Sequence, residues 1–194
     1  QQAFWTAEEI DFPADISDWE QLNKDEKHFI SNVLAFFAGS DGIIFENLSI
    51  NFIDEIKVPE VRAYYGWQAA METIHSETYA LMIDTYITDS KEKEKLFNGI
   101  KEISGVKKKA EWTQMWLNQD IPFAERLVAF TIVEGVFFAG SFCAIFWLKY
   151  VKKLMTKALG KSNELIARDE SLHTDFGVLL YSHISNKLPE EKIK

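Results

Sequence analysis

The sequence predicts an all-α fold with a sizeable core. Its 194 residues include only 4 prolines and 9 glycines, so long stretches run without the residues that most often interrupt a helix. Hydrophobic residues make up 47% and charged residues 26% of the chain, a balance typical of a globular protein with a sizeable core. Because no internal stretch is rich in Pro, Gly or Ser, residues 1–194 are expected to form a single domain.

Start and stop signals place the helices along the sequence. Asn23 can cap the first helix, Pro59 suits the first turn of the second, and Pro122 opens a strongly apolar one. Ser162 can cap the last long helix. The helices are expected over residues 24–56, 60–88, 92–103, 107–118, 122–150 and 162–185. Four long helices with short companions predict a helical bundle.

Charge and cysteine content exclude several classes of protein. A formal net charge of −9 argues against binding nucleic acid, which relies on lysine and arginine to neutralise phosphates. The single cysteine, Cys143, cannot form an intrachain disulfide, and its apolar neighbours predict a small buried side chain. No cationic segment followed by an apolar stretch opens the sequence. These features favour a cytoplasmic protein.

Residues 128–148 are the one stretch apolar enough to suggest a membrane span, with Glu134 as the single ionisable side chain. The same stretch could be the central helix of a large bundle. We favour the bundle and expect no membrane contact, because a carboxylate in mid-membrane is costly and no second span accompanies it.

Two Glu-x-x-His motifs are candidates for metal binding. They are Glu72 with His75 and Glu170 with His173. A spacing of three residues on a helix puts both side chains on one face, where they can bind the same metal ion or adjacent ions. A solvated helix face would explain either motif alone, so the pair is a weak signal by itself.

Two further carboxylates, Asp41 and Glu134, lie within apolar helices that precede the motifs. An isolated carboxylate in a packed bundle is costly unless it is paired, protonated or bound to metal. One acid from each of two helices and a Glu-x-x-His from each of two others make the dinuclear site of ferritin-like bundles. This donor set suits Fe or Mn better than Zn or Cu. Coincidental buried ion pairs are the alternative.

Tyr79 bears on which di-metal function applies, because these ligands also serve iron stores, desaturases, monooxygenases and radical generators. It follows His75 by four residues and therefore projects from the same helix face, one turn beyond the ligand. A tyrosine in mid-helix is more often an ordinary core residue.

The sequence also resembles a known family, the small subunit of class I ribonucleotide reductases in its eukaryotic and viral form. The resemblance extends over nearly the whole length and includes all six expected ligands and Tyr79. The segments that show it most clearly are residues 4–9, 35–42, 71–79, 133–138 and 163–173.

The resemblance implies a role for each candidate residue. Tyr79 would be a stable radical, and an electron would enter the site through Trp5 and Asp169, with Asp169 hydrogen-bonded between the Trp5 indole and His75. The metal nearer Tyr79 would be held by Asp41, Glu72 and His75, and the other by Glu134, Glu170 and His173. The apolar pocket around the tyrosine would consist of Phe138, Phe142 and Ile166.

The function implied by the resemblance is the generation of a tyrosyl radical by two Fe ions, with Mn less favoured, and dioxygen. A separate large subunit would use that radical to reduce ribonucleoside diphosphates to deoxyribonucleotides for DNA replication. The small subunit would be a homodimer, and this chain would be a fragment that covers its metal-binding middle. The rival hypotheses are a di-iron oxidase that acts on a small or lipid substrate and an iron-storage bundle that has no use for Tyr79.

Overall fold

The computed structural model describes residues 3–46, 51–99 and 102–193, and within its helices it leaves out the side chains of residues 41–43, 45, 46 and 99. The described residues form helices joined by turns and contain no strand, so the all-α prediction is confirmed. The six longest helices are α1 (Lys24–Glu46), α2 (Pro59–Tyr86), α3 (Ser90–Gly99), α4 (Ser104–Met115), α5 (Phe123–Lys152) and α6 (Leu159–His183).

Four of these helices enclose the core. Helix α1 packs along α2, α2 along α6, α6 along α5, and α5 returns to α1, which closes a bundle. The approach of α5 to α6 is tight at Gly177, where an added Cβ would lie 2.3 Å from the Thr131 hydroxyl oxygen. A glycine there lets the two helices come close enough for their polar side chains to meet.

The first helix begins as expected. The Glu26 amide donates to the Asn23 side chain at 2.9 Å, and the Asn23 amide donates to the Glu26 carboxylate at 3.0 Å, a reciprocal cap that satisfies two amides at the helix start. Residues 47–50 lie outside the described residues, and beyond them a single helical turn covers Ile53–Glu55. The prediction of one helix over 24–56 is therefore tested only as far as Glu46.

The start of α6 differs from the prediction. Ser162 does not cap it, because the helix begins at Leu159 and the Ser162 hydroxyl donates inside it to the Ala158 carbonyl at 2.8 Å. The cap comes instead from Asp15 in the N-terminal segment. Its buried carboxylate accepts the amides of Lys157, Ala158 and Leu159 at 3.1, 2.9 and 2.9 Å. A cap that lies 144 residues away in sequence leaves no local signal.

Helix α5 is less regular than its sequence predicts. It contains two π-helical turns, Val133–Phe137 and Trp147–Lys152, on either side of the α-helical segment Ala139–Phe146. Its outer face is apolar yet exposed, and Cys143 lies there, so the prediction of a buried cysteine is wrong. Apolar neighbours in sequence do not show which face of a helix turns inward.

By length and composition alone, α5 is also the described helix that could cross a membrane. A core helix of a bundle passes the same test, and α5 packs on both α6 and α1. We interpret it as a bundle helix.

The Asp15 cap gives a stability prediction. Changing Asp15 to Ala leaves three amides at the start of α6 without their charged acceptor, so we expect the free energy of unfolding to fall by about 3 kcal/mol. Urea denaturation followed by circular dichroism measures it. Asp11 lies exposed in the same segment and its side chain caps nothing, so Asp11→Ala is the control and should change stability by about 0.5 kcal/mol or less. Equal losses in the two variants would contradict the assigned role of Asp15.

Candidate metal centre

Four buried side chains from three helices converge in the middle of the bundle. Glu72 of α2, Glu134 of α5 and Glu170 and His173 of α6 each present a ligand atom, and these atoms all lie within 4.8 Å of one another. Among the described residues this is the group whose geometry fits a metal ion. The regular turns of α2 and α6 and the close approach of α5 to α6 bring these residues together.

His75 lies on the other side of the same carboxylates. Its Nδ1 is 3.4 Å from Glu72 Oε2 and 3.2 Å from Glu170 Oε1. His173 Nδ1 is 3.1 Å from Glu72 Oε1 and 3.6 Å from Glu170 Oε2. Each of the two carboxylates therefore presents one oxygen to each imidazole. The donor atoms form two neighbouring groups that share Glu72 and Glu170.

These donor atoms are buried, yet several of them do not meet hydrogen-bond geometry with any described group. They are both oxygens of Glu72, Oε2 of Glu170 and Nδ1 of His75 and His173. They approach one another at ion-pair distance but do not point at one another. Buried polar atoms in native proteins are almost always satisfied, so a set of buried, closely spaced donor atoms without hydrogen-bond partners fits a site for metal ions.

The sixth expected ligand, Asp41, lies on α1, and its side chain is outside the described residues. The structure thus brings five of the six predicted ligands together and leaves the sixth a prediction.

Burial and charge shift the pKa values of four groups in the centre, His75, His173, Glu134 and Glu72. Burial alone would lower the pKa of His75 and His173, but the neighbouring carboxylates outweigh it and raise both pKa values well above the usual range. Burial raises the pKa of the Glu134 carboxyl, and the carboxylates of Glu170 and Glu72 add to that rise, while His173 opposes it. The pKa of Glu72 is lowered, because the two imidazoles outweigh the effect of its burial.

Glu134 has a hydrogen-bond donor that the sequence did not suggest. The Gln68 amide, buried on α2, donates to Glu134 Oε1 at 2.7 Å. This bond leaves Oε2 as the freer oxygen of the carboxylate. Gln68 precedes Glu72 by one helical turn, and this spacing was the only feature of the sequence that could have placed Gln68 near the centre. Glutamine belongs to no metal-binding motif in this sequence, so the spacing alone did not identify it.

A series of hydrogen bonds leads from the centre to the N-terminal segment. The Trp5 indole Nε1 donates to Asp169 Oδ2 at 2.7 Å, and the same oxygen lies 3.1 Å from His75 Nε2. Arg168 approaches the other oxygen of Asp169 at 3.0 Å. Because Asp169 faces Nε2 of His75, the Nδ1 atom is the one that faces the carboxylates. Trp5 itself is buried, with 2% of its surface exposed.

Tyr79 lies one turn beyond His75 on α2 and is 1% exposed. Its ring stacks on Phe37 of α1 with centroids 4.8 Å apart and planes 5° from parallel. Phe138 and Phe142 pack against Phe37, with their centroids 5.4 and 4.9 Å from that of Phe37. Ile166 is buried in the same core. Phe37 was not among the pocket residues expected from the sequence.

Comparison with known proteins agrees with this geometry. The family model described as "Ribonucleotide reductase, small chain" matches residues 1–194. A ribonucleoside-diphosphate reductase small chain of Arabidopsis thaliana is 56% identical over 193 residues, which are 100% of this chain and 56% of that protein. The small subunit of Plasmodium falciparum (isolate FCR-3 / Gambia) is 55% identical over 194 residues, 100% of this chain and 60% of that protein. The sequence thus spans somewhat more than half the length of these curated relatives.

Solved structures share the fold. The Rnr4 homodimer of Saccharomyces cerevisiae is 40% identical with a TM-score of 0.89, covering 100% of this chain and 61% of that one. A dimanganese(II)-NrdF of Streptococcus sanguinis is 22% identical with a TM-score of 0.83, covering 99% of this chain and 66% of that one. The prediction of a ferritin-like bundle is confirmed.

Removing Glu134 should reduce the metal content of the centre. In Glu134→Ala the group around His173 loses a carboxylate, so we expect about half the Mn(II) stoichiometry of the parent. Equilibrium dialysis measures it. Glu77, exposed on α2, supplies the control variant Glu77→Ala, which should bind as the parent does. Unchanged stoichiometry in Glu134→Ala would exclude Glu134 as a ligand.

Protons should compete with metal at this centre. The raised pKa values of His75 and His173 favour protonated imidazoles, and each must lose its proton to bind a metal. We therefore expect the affinity for Mn(II) to rise between about pH 6 and about pH 8, with release of protons. Calorimetric titration in two buffers of different ionisation enthalpy measures both quantities. A pH-independent affinity without proton release would show that the imidazoles are not ligands.

Proposed function

Because this chain belongs to the small-chain family of ribonucleotide reductases, we propose that it is the metal-binding part of a radical-generating small subunit of ribonucleoside-diphosphate reductase. The observation that carries the proposal is the buried group of carboxylates and imidazoles with Tyr79 one turn away on α2. A metal centre beside a buried tyrosine has the parts that a radical generator needs.

The donor set selects the kind of metal. Carboxylate oxygens with one imidazole nitrogen for each ion suit Fe or Mn better than Zn or Cu. We propose two Fe ions, with Mn as the alternative, since the similar NrdF of Streptococcus sanguinis was solved as a dimanganese(II) protein. When bound, the ions would supply the activation of dioxygen and the one-electron oxidation of Tyr79.

The side chains of the centre have distinct tasks. Glu72 and Glu170 each face both imidazoles, so these two carboxylates would help to hold both ions, and His75 and His173 would bind through Nδ1. The Asp169 carboxylate accepts a hydrogen bond from the Nε2–H group of His75, which fixes the tautomer and the orientation of the ring. Asp41 would complete the ligands, and Gln68 holds one oxygen of Glu134.

The surroundings of Tyr79 suit a long-lived radical. A phenoxyl radical persists where water and reductants are excluded. The ring of Tyr79 is buried against Phe37, and Phe138, Phe142 and Ile166 belong to the same apolar core. We propose that this pocket protects the radical.

The hydrogen-bonded series of Trp5, Asp169 and His75 is the proposed route for the electron. Its donor–acceptor distances of 2.7 and 3.1 Å make a continuous path from a buried indole to a metal ligand. The lowered pKa of Asp169 keeps that carboxylate ionised, since its bonds to His75 and Trp5 outweigh the effect of its burial. An ionised Asp169 accepts hydrogen bonds from both neighbours.

The whole protein would act with partners. We propose that it forms a homodimer, the state in which the similar yeast protein Rnr4 was solved. We also propose that a large subunit binds the ribonucleoside diphosphate and is oxidised by the Tyr79 radical. The nucleotide chemistry would then take place on that subunit. The expected compartment is the cytoplasm.

The rival functions have less support. An oxidase of small or lipid substrates needs a roomy apolar channel beside the carboxylates. The cavity of about 880 Å³ in the described part of the chain is lined by residues that include Trp19, Lys24 and Tyr86 but none of the cluster residues. Iron storage would give no task to Tyr79 or to the hydrogen bonds that begin at Trp5.

Replacing Tyr79 by Phe separates radical generation from other di-metal functions. The change removes one hydroxyl, so stability should change by less than about 1.5 kcal/mol and metal should still bind. After Fe(II) and dioxygen are added, electron paramagnetic resonance should show a persistent tyrosyl signal in the parent and none in Tyr79→Phe. Tyr86, buried on the same helix, gives the control variant Tyr86→Phe, which should keep the signal.

Two outcomes would contradict the proposal. A parent that bound and oxidised iron without forming a tyrosyl signal, both at this length and at the full length of its relatives, would not be a radical generator. The same persistent signal in Tyr79→Phe would assign the radical to another residue.

A further inference from the structure

We propose that Lys109 is a positioning residue for the Glu134 carboxylate, because it holds the π-helical turn on which Glu134 lies. The inference rests on the proposed function, in which Glu134 binds metal. Lys109 lies on α4, outside the four helices that supply the expected ligands.

The contact is a hydrogen bond between a side chain and the end of the turn. Lys109 Nζ donates to the Phe137 carbonyl oxygen at 2.7 Å, and Phe137 is the last residue of the π-helical turn Val133–Phe137. In a regular α- or π-helix that carbonyl would accept the amide four or five residues later. Those amides belong to Ser141 and Phe142, and both donate to the Phe138 carbonyl at 3.0 Å. Lys109 thus supplies a donor to this carbonyl from another helix.

The surroundings of the Lys109 ammonium group hold it beside the Phe137 carbonyl. It lies over the rings of Phe36 and Phe137, 5.0 and 5.4 Å from their centroids, so two aromatic faces and one carbonyl receive the charge. Burial lowers the pKa of Lys109. Its neighbours Lys107 and Lys108 are exposed on the same helix. The sequence contains three lysines in a row, and the fold turns one of them inward.

The turn matters because it sets the direction of Glu134. Each hydrogen bond of a π-helical turn spans one more residue than a hydrogen bond of an α-helix. Each residue of an α-helix turns the backbone by about 100°. A return of this segment to α-helix would therefore rotate Glu134 relative to Phe138 and the residues that follow. Holding the Phe137 carbonyl keeps the extra residue in place and the carboxylate directed at Glu170 and His173.

The experiment is an anaerobic titration of the metal-free protein with Co(II), followed by its visible absorption. Lys109→Met keeps the apolar stem and removes the ammonium group. We expect about tenfold weaker binding of one Co(II) and an altered visible spectrum. Lys109→Arg keeps a cationic donor and should restore the parent's spectrum, a rescue that general destabilisation would not produce. Lys108→Met is the matched control and should behave as the parent.

The outcomes distinguish this inference from the proposed function. A parent that binds two Co(II) while Lys109→Met shows the same affinities and spectrum would overturn the role of Lys109 and leave the metal centre intact. A parent that binds no Co(II) would overturn both. If Lys109→Met does not fold, Lys109→Gln, which also lacks the charge, takes its place with the same expected changes and the same contradicting result.

Discussion

The central constraint on this structure is that several carboxylates are buried beside one another, which is unfavourable in free energy unless positive charge compensates them. Glu72, Glu134 and Glu170 meet in the middle of an apolar bundle, and each lone charge there would be unfavourable by several kcal/mol. The raised pKa values of Glu134 and of both imidazoles show the compensation that protons can give. Metal ions give the same compensation with more charge. The arrangement of the helices therefore fits a centre whose buried charges are compensated by protons or by the proposed metal ions.

Such a centre tolerates little movement of its helices, and two contacts from the N-terminal segment hold α6 in place. Asp15 caps the start of α6, and Trp5 bonds to Asp169 in the middle of it. Helix α6 is also the helix that supplies Glu170 and His173. The N-terminal segment thus contacts α6 both at its start and at the residue through which the proposed electron path passes.

Much of this could be predicted from the sequence, because helical periodicity relates residues that are close in the chain. The Glu-x-x-His spacing placed His75 beside Glu72, and the spacing of four placed Tyr79 one turn further. What could not be predicted depends on contacts between distant segments. The Asp15 cap, the Gln68 bond to Glu134 and the exposure of Cys143 all require knowledge of which helix faces meet. The π-helical turns of α5 could not be predicted either, because the sequence analysis assumes that a helix keeps the same number of residues per turn throughout.

The same periodicity explains how a polar centre and a dry pocket can be adjacent. On each of the four bundle helices, an expected ligand and a residue of the tyrosine pocket are four positions apart. The pairs are Asp41 with Phe37, His75 with Tyr79, Glu134 with Phe138 and Glu170 with Ile166.

One helical turn is about 5.4 Å, so on α2 and α6 this spacing stacks an apolar layer around Tyr79 on a layer of expected ligands. On α5 the π-helical turn Val133–Phe137 intervenes between the two layers, so a regular turn does not relate Glu134 to Phe138. The regular hydrogen bonds of an α-helix therefore do not determine how Glu134 is oriented relative to Phe138. Lys109, which lies outside the four helices, donates a hydrogen bond to the last carbonyl of this π-helical turn and so holds the irregular segment in place.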